Sequence, residues 1–161
     1  MPSFTTRAAR LDDAKELASV HTQSWKETYT GLFPEQAWSD EARQRREAMW
    51  NELLTDANTT TVVAEVRSHI IGFAQAHHNR DDPDLPSEEL AMIYVLASAH
   101  GTGAGQSLID AVLGGAAASV WVLEQNPRAR AFYARNRFMY DGTVREMDFN
   151  PNIRELRLAR S

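Results

Sequence analysis

The chain has 161 residues, 43 % apolar and 24 % charged, the length and balance of one globular domain; with no cysteine, a disulfide framework, a thiolate metal site and a cysteine nucleophile are excluded. The formal net charge of −5 argues against general nucleic-acid binding, which needs a basic surface, yet allows a polyanionic small ligand held by local groups. No apolar run approaches the roughly 20 residues of a membrane helix, and Met1–Arg10 lacks the apolar centre of a signal peptide, so a cytosolic protein with no membrane partner is expected.

Thr5–Ala8 reads as a short strand. Asp12 or Asp13 can cap the helix that follows, whose apolar face is Leu11, Ala14, Leu17, Ala18 and His21. The aromatic-rich stretch Ser24–Phe33 ends near Gly31 and Pro34. A second helix is predicted over Ser39–Leu54, with Asp40 and Glu41 favourable in its first turn. Thr60–Val66 and Ile70–His77, joined by Arg67–His69, read as a hairpin. After the polar loop Asn79–Ser87 come a strand over Glu88–Leu96, a glycine-rich turn, and a helix over Gly103–Leu113 with Leu108, Ala111 and Val112 on one face. Ser119–Leu123 is a short buried strand, Asn126–Asn136 a helix, and Phe138–Met147 and Ile153–Leu158 the closing strands. The pattern is one α/β domain over 1–161 with a mixed sheet whose early strands are antiparallel.

The turn His100-Gly101-Thr102-Gly103-Ala104-Gly105 lies between a strand and a helix. Glycines let successive amides converge on a ligand, and a helix N-terminus adds unpaired donors, so a phosphate or pyrophosphate suits it. A P-loop is excluded, because Gln106 follows Gly105 where Lys is needed before Ser107. A dinucleotide fingerprint needs GxGxxG, and the sequence gives GxGxG. Glu124 stands where such folds place a ribose-binding acid, but the turn comes after four strands and only one βα unit remains. A coenzyme A pyrophosphate site and a glycine-rich helix start without ligand are the other readings.

Glu89–Val95 (ELAMIYV) with this turn resembles motif A of the GNAT superfamily of acyl-CoA-dependent N-acyltransferases, and Asn126–Phe138 (NPRARAFYARNRF) resembles motif B. The first helix with Trp25, Tyr29 and Gly31, and Val63-Ala64-Glu65 with Ile71-Gly72-Phe73, resemble a small bacterial subgroup, so the resemblance spans nearly the whole chain. His100 stands where the family usually has Gln or Arg, and Arg137 where it usually has Gly. The resemblance implies a mostly antiparallel central sheet of six to seven strands, helices on both faces, and a V-shaped splay between the fourth and fifth strands. It implies transfer of an acetyl group from acetyl-CoA, with no metal, to a primary amine of a small molecule or peptide by direct attack. A non-catalytic acyl-CoA-binding module is the alternative. Pantetheine would pair with Ile93, Tyr94 and Val95. The pyrophosphate would lie on His100, Gly101, Thr102, Gly103, Ala104, Gly105 and Gln106. Arg128, Arg130, Arg135 and Arg137 cluster around the motif B helix, where they can offset the phosphate charge, Arg130 first among them, or form a solvated surface.

Asn126 and Tyr133 are seven residues apart and project from nearly the same side of a helix. Tyr133 can protonate the departing thiolate or simply pack beside Phe132 and Phe138. Asn126 can hold the pantetheine amide and cap the helix at once. The attacking amine must shed a proton, and the resemblance implies Glu89 as the base, because the family often carries a carboxylate at this place on the strand, with Glu88 and Glu124 as fallbacks; the competing reading is a solvated edge carboxylate. Trp25, Tyr29 and Phe33 sit where the resemblance implies an acceptor wall built from the first two helices, and packing explains them equally well. Among the five histidines, His77 and His78 point to opposite faces of a strand, and the sequence presents no H-x₃-H or acid–histidine cluster, so no metal site is expected. Monomer and homodimer are both compatible with the sequence.

Overall fold

The computed structural model describes residues 3–161; Met1 and Pro2, part of the segment read above for a signal peptide, lie outside the described residues. Seven strands are hydrogen-bonded in the order β1-β2-β3-β4-β5-β7-β6: β1 (Thr5–Ala8), β2 (Thr59–Val66), β3 (His69–His78), β4 (Glu88–Val95), β5 (Ala118–Leu123), β6 (Met139–Met147) and β7 (Asn150–Arg160). The helices are α1 (Ala14–Tyr29), α2 (Asp40–Leu53), α3 (Ala104–Leu113) and α4 (Pro127–Arg135). The sheet is mixed, as expected: β1–β2, β5–β7 and β6–β7 are antiparallel, and β4–β5 is parallel. The chain gathers into two compact units. The first is Met1–Ala76 with Met92–Gly114, and the second is His77–Ala91 with Gly115–Ser161.

In the first unit the core is Leu17, Ala18 and Val20 of α1, Trp50 of α2, Val63 of β2, and Ile70 and Phe73 of β3. Leu11 departs from the expected face. It lies in a 3₁₀ turn ahead of α1 and is 55 % exposed. Asp13 is the N-cap residue of α1, but its carboxylate caps no helix amide. It accepts two hydrogen bonds from Arg7, at 2.8 and 3.0 Å, and one from the Arg10 amide at 2.7 Å. The buried carboxyl is thereby held below the usual carboxylate range, chiefly by the Arg7 hydrogen bonds. In α2, Ser39 caps by accepting from the Ala42 amide. Arg67 and Ser68, both at positive φ, make the β2–β3 turn, as a two-residue hairpin requires.

α3 buries Ala104, Leu108, Ile109 and Leu113, whereas Ala111, predicted on its apolar face, is exposed. In β3 the backbone at Gly72 closely approaches β4: a Cβ there would stand 2.9 Å from the Tyr94 carbonyl oxygen.

The second unit holds the start of β4, then β5, β7, β6 and α4. The parallel register pairs Glu88 with Ala118, Glu89 with Ser119 and Leu90 with Val120, and β4 runs on to Val95. In β7, Ile153, Leu156 and Leu158 are buried. The β6–β7 ladder is irregular between Tyr140 and Val144, around Gly142 at φ +93°. The described residues include no helix long and apolar enough to cross a membrane.

Candidate functional site

In the first unit the glycine turn joins β4 to α3. Gly101 and Gly103 have φ of +77° and +91°, and a Cβ at either would meet nothing within 4 Å. Backbone conformation, rather than space, therefore favours glycine at both. Gly103 is the N-cap of α3 and offers no side chain to its amides. Thr102 partly substitutes: its hydroxyl donates to the Ala99 carbonyl at 2.7 Å and accepts from the Ala104 amide at 3.3 Å. The opening amides of α3, at Ala104, Gly105 and Gln106, form the N-terminal donor set, where the helix dipole favours an anion. The Gln106 side chain donates to Asp110 at 2.9 Å, back along the helix.

His100 Nε2 lies 2.9 Å from the Val95 carbonyl oxygen. A carbonyl only accepts, so Nε2 carries the hydrogen and donates. This histidine fastens the turn to the end of β4. Ile93, Tyr94 and Val95 are half-buried.

Tyr94 joins the aromatic residues of α1. Its hydroxyl is 3.0 Å from that of Tyr29. Tyr29 stacks on Phe33 at 4.7 Å and meets Trp25 edge-on at 5.1 Å. Trp25, Tyr29 and Phe33 are thus one cluster. His21 stacks on Tyr94 at 5.6 Å and is edge-on to Trp25, Trp50 and Phe73. It is only 5 % exposed, and its Nδ1 has no hydrogen-bond partner. Burial, assisted by the positive charge of Arg46, lowers its pKa to about 3, so the ring is neutral at physiological pH.

In the second unit Glu89 is not alone. His77 Nε2 lies 2.7 Å from Glu89 Oε2, and His78 Nδ1 lies 2.7 Å from Glu88 Oε1. These pairs correct the expectation that no acid–histidine cluster occurs. The partners sit on separate strands, where linear spacing conceals them. Among the described residues no group of three or more His, Asp or Glu is placed to hold a metal ion. The fallback Glu124 is committed to a two-pronged pair with Arg154, at 2.8 and 2.9 Å.

On α4 the Asn126 Oδ1 accepts from the Ala129 amide at 3.1 Å, the expected N-cap, with Pro127 in the first turn. Tyr133 is 6 % exposed and packs edge-on against Phe138 and Phe132, at 5.7 and 5.6 Å. Arg130 is exposed and donates to the Glu124 carbonyl. Arg137 has φ of +70°, so it supplies the left-handed conformation that a glycine would adopt there.

A glycine turn that follows a strand and opens a helix is the arrangement that motif A implies. A sequence model of the Acetyltransferase (GNAT) family matches residues 19–138. The chain belongs to this family. It is therefore an acyltransferase. The N-acetyltransferase YuaI of Bacillus subtilis, named as uncharacterized, is 30 % identical over 129 residues, covering 76 % of this chain and 73 % of that one. The uncharacterized N-acetyltransferase Rv2669 of Mycobacterium tuberculosis is 34 % identical over 140 residues, covering 83 % and 87 %. Among solved structures, the PaiA N-acetyltransferase of Thermoplasma acidophilum in complex with coenzyme A has a similar fold. Its TM-score is 0.75 with 19 % identity, over 99 % of both chains. A GNAT-family acetyltransferase of Bacillus cereus has a TM-score of 0.72 with 16 % identity, over 99 % of this chain and 97 % of that one.

Proposed function

We propose that this GNAT acyltransferase moves an acetyl group from acetyl-CoA to a primary amine in a ternary complex, as one domain over 1–161 acting in the cytoplasm. The glycine turn carries the reading: positive φ at Gly101 and Gly103, with α3 lacking an N-cap side chain, suits a diphosphate. The PaiA structure, which holds coenzyme A on a similar fold, supports this ligand. Main-chain groups of Ile93–Val95, at the end of β4, would take the pantetheine. Asn126 keeps its Nδ2 for the same ligand, since only Oδ1 is engaged by the cap.

Acetyl-CoA supplies an activated carbonyl carbon. The amine lone pair forms the new N–C bond, the C–S bond breaks, and the electron pair leaves on sulfur. Glu89 takes the ammonium proton, and Tyr133 returns a proton to the thiolate. The main-chain amide near Val95 would stabilise the oxyanion. The experiment is a thermal melt with and without acetyl-CoA, followed by free-thiol release across amino acids, polyamines, aminoglycosides and peptide N-termini. A raised melting temperature and amine-dependent thiol release are expected. No stabilisation by acetyl-CoA or coenzyme A would overturn the reading.

A further inference from the structure

Between α1 and α2 lies a cavity of about 240 Å³ lined by Trp25, Ala37, Ala42, Arg45, Arg46 and Met49. The lining is apolar apart from two guanidinium groups, in a chain whose net charge is −5. Among the described residues neither Arg45 nor Arg46 has a carboxylate within ion-pair distance, although Arg43 beside them reaches Glu47 at 3.9 Å. Arg46 is half-buried and held firmly. Its Nη1 donates to Thr22 Oγ1 at 3.1 Å and to the Ala37 carbonyl at 2.6 Å, and its guanidinium lies 4.8 Å from the centre of the Trp25 ring.

Both of those bonds use one nitrogen. The Nε–Nη2 edge, which grips a carboxylate side-on, has no acceptor among the described residues. A partly desolvated cation without an anion is costly, and burial does disfavour its charge, with Tyr94 opposing that effect and Arg45 adding to it. Such a group calls for an explanation, and the planar guanidinium fork suits a ligand carboxylate. Trp25 also belongs to the aromatic cluster that reaches Tyr94 through Tyr29.

We propose that this cavity binds a carboxylate, with Arg46 gripping it side-on and Trp25 and Met49 covering an apolar body, so that the acceptor is an amine bearing a carboxylate at its other end. The assignment of that carboxylate to the acceptor rests on the acetyltransferase reading above; the carboxylate site itself does not.

Calorimetry separates the two. Wild type is titrated with 3-phenylpropionate, with its neutral carboxamide, and with acetyl-CoA. The carboxylate should bind at least about tenfold more tightly than the amide, and that preference should vanish in Arg46→Gln. Arg46→Lys, which keeps charge and a donor for Ala37, should stay folded by circular dichroism and keep part of the preference. Equal binding of acid and amide, no binding of either, or a preference surviving in Arg46→Gln would overturn the site. Carboxylate binding without acetyl-CoA binding would leave the site standing and overturn the acetyltransferase reading. Thiol release with L-phenylalanine and with phenylalanine amide then checks the acceptor: the acid should be at least about tenfold better in kcat/KM, and equal rates would overturn that assignment.

Discussion

His77 and Glu89 meet across β3 and β4, with Nε2 2.7 Å from Oε2. Both side chains are about one-third exposed. A free ammonium has a pKa of about 10, so near neutral pH the amine needs a base. Glu89→Gln should lower kcat/KM by about 100-fold at pH 7. The loss should shrink toward pH 10, where the amine deprotonates unaided. His77→Gln keeps a donor toward Glu89 and should retain more activity than His77→Ala. A pH–rate profile for each variant checks this. A Glu89→Gln profile parallel to wild type at every pH would show that Glu89 is not the base.

Tyr133 is packed by Phe132 and Phe138, and Tyr133→Phe keeps that ring packing. Stability should therefore change by no more than about 1.5 kcal/mol, the worth of one hydroxyl hydrogen bond. Loss of the thiolate's proton donor should lower kcat by about 100-fold. Paired measurements of the melting temperature and of thiol release distinguish the two consequences. Unchanged kcat would return Tyr133 to a packing role alone.

Much of this architecture was legible in sequence. Periodicity located the four helices and seven strands, because alternation and helical spacing are local signals. Asn126 ahead of Pro127 announced the α4 cap for the same reason. The His77–Glu89 pair was hidden: Asn79–Ser87 separates the strands, and nothing in a nine-residue polar loop sets the register across it. Arg46 was hidden too. Its meaning depends on which helix face meets Trp25, and on no carboxylate among the described residues lying within ion-pair distance. Leu11 misled, because a 3₁₀ turn shifts the phase of the helical pattern just ahead of α1.

The buried His21 makes stability pH-dependent. Its folded pKa of about 3 lies below the ordinary value of 6.5, so the unfolded chain binds the extra proton between those values. The stabilisation is complete above pH 6.5. It is lost as pH falls toward 3, at about 1.4 kcal/mol per pH unit from this group. Asp13, held below its ordinary 3.8 by Arg7, contributes stability that is lost only at lower pH. Urea unfolding at pH 7, 5.5 and 4.5 should show a slope that His21→Phe flattens. An identical slope in the variant would remove His21 as its source.

Arg137 holds a left-handed backbone at φ +70°, where a side chain costs energy that glycine avoids. Arg137→Gly gives up some unfolded-state advantage but removes that strain. The net effect should be a gain of about 0.5–1 kcal/mol, or a few degrees in melting temperature. Calorimetric melting of the variant checks it, and a lower melting temperature would show that the arginine side chain contributes more than the strain costs.

Gly72 is constrained by space. A Cβ at this position would lie 2.9 Å from the Tyr94 carbonyl oxygen, 3.0 Å from Val95 Cγ2 and 3.2 Å from Val95 Cα. Two of these three atoms are backbone, so relief requires the β4 main chain to move at the residues proposed to take pantetheine. Gly72→Ala should lose about 1–3 kcal/mol of stability and weaken acetyl-CoA binding together. Gly115→Ala is the control, because a Cβ there meets nothing within 4 Å. Thermal melts with and without acetyl-CoA read both effects. A Gly72→Ala protein as stable as wild type, with undiminished stabilisation by acetyl-CoA, would mean that β4 absorbs a methyl group without disturbing Tyr94 and Val95.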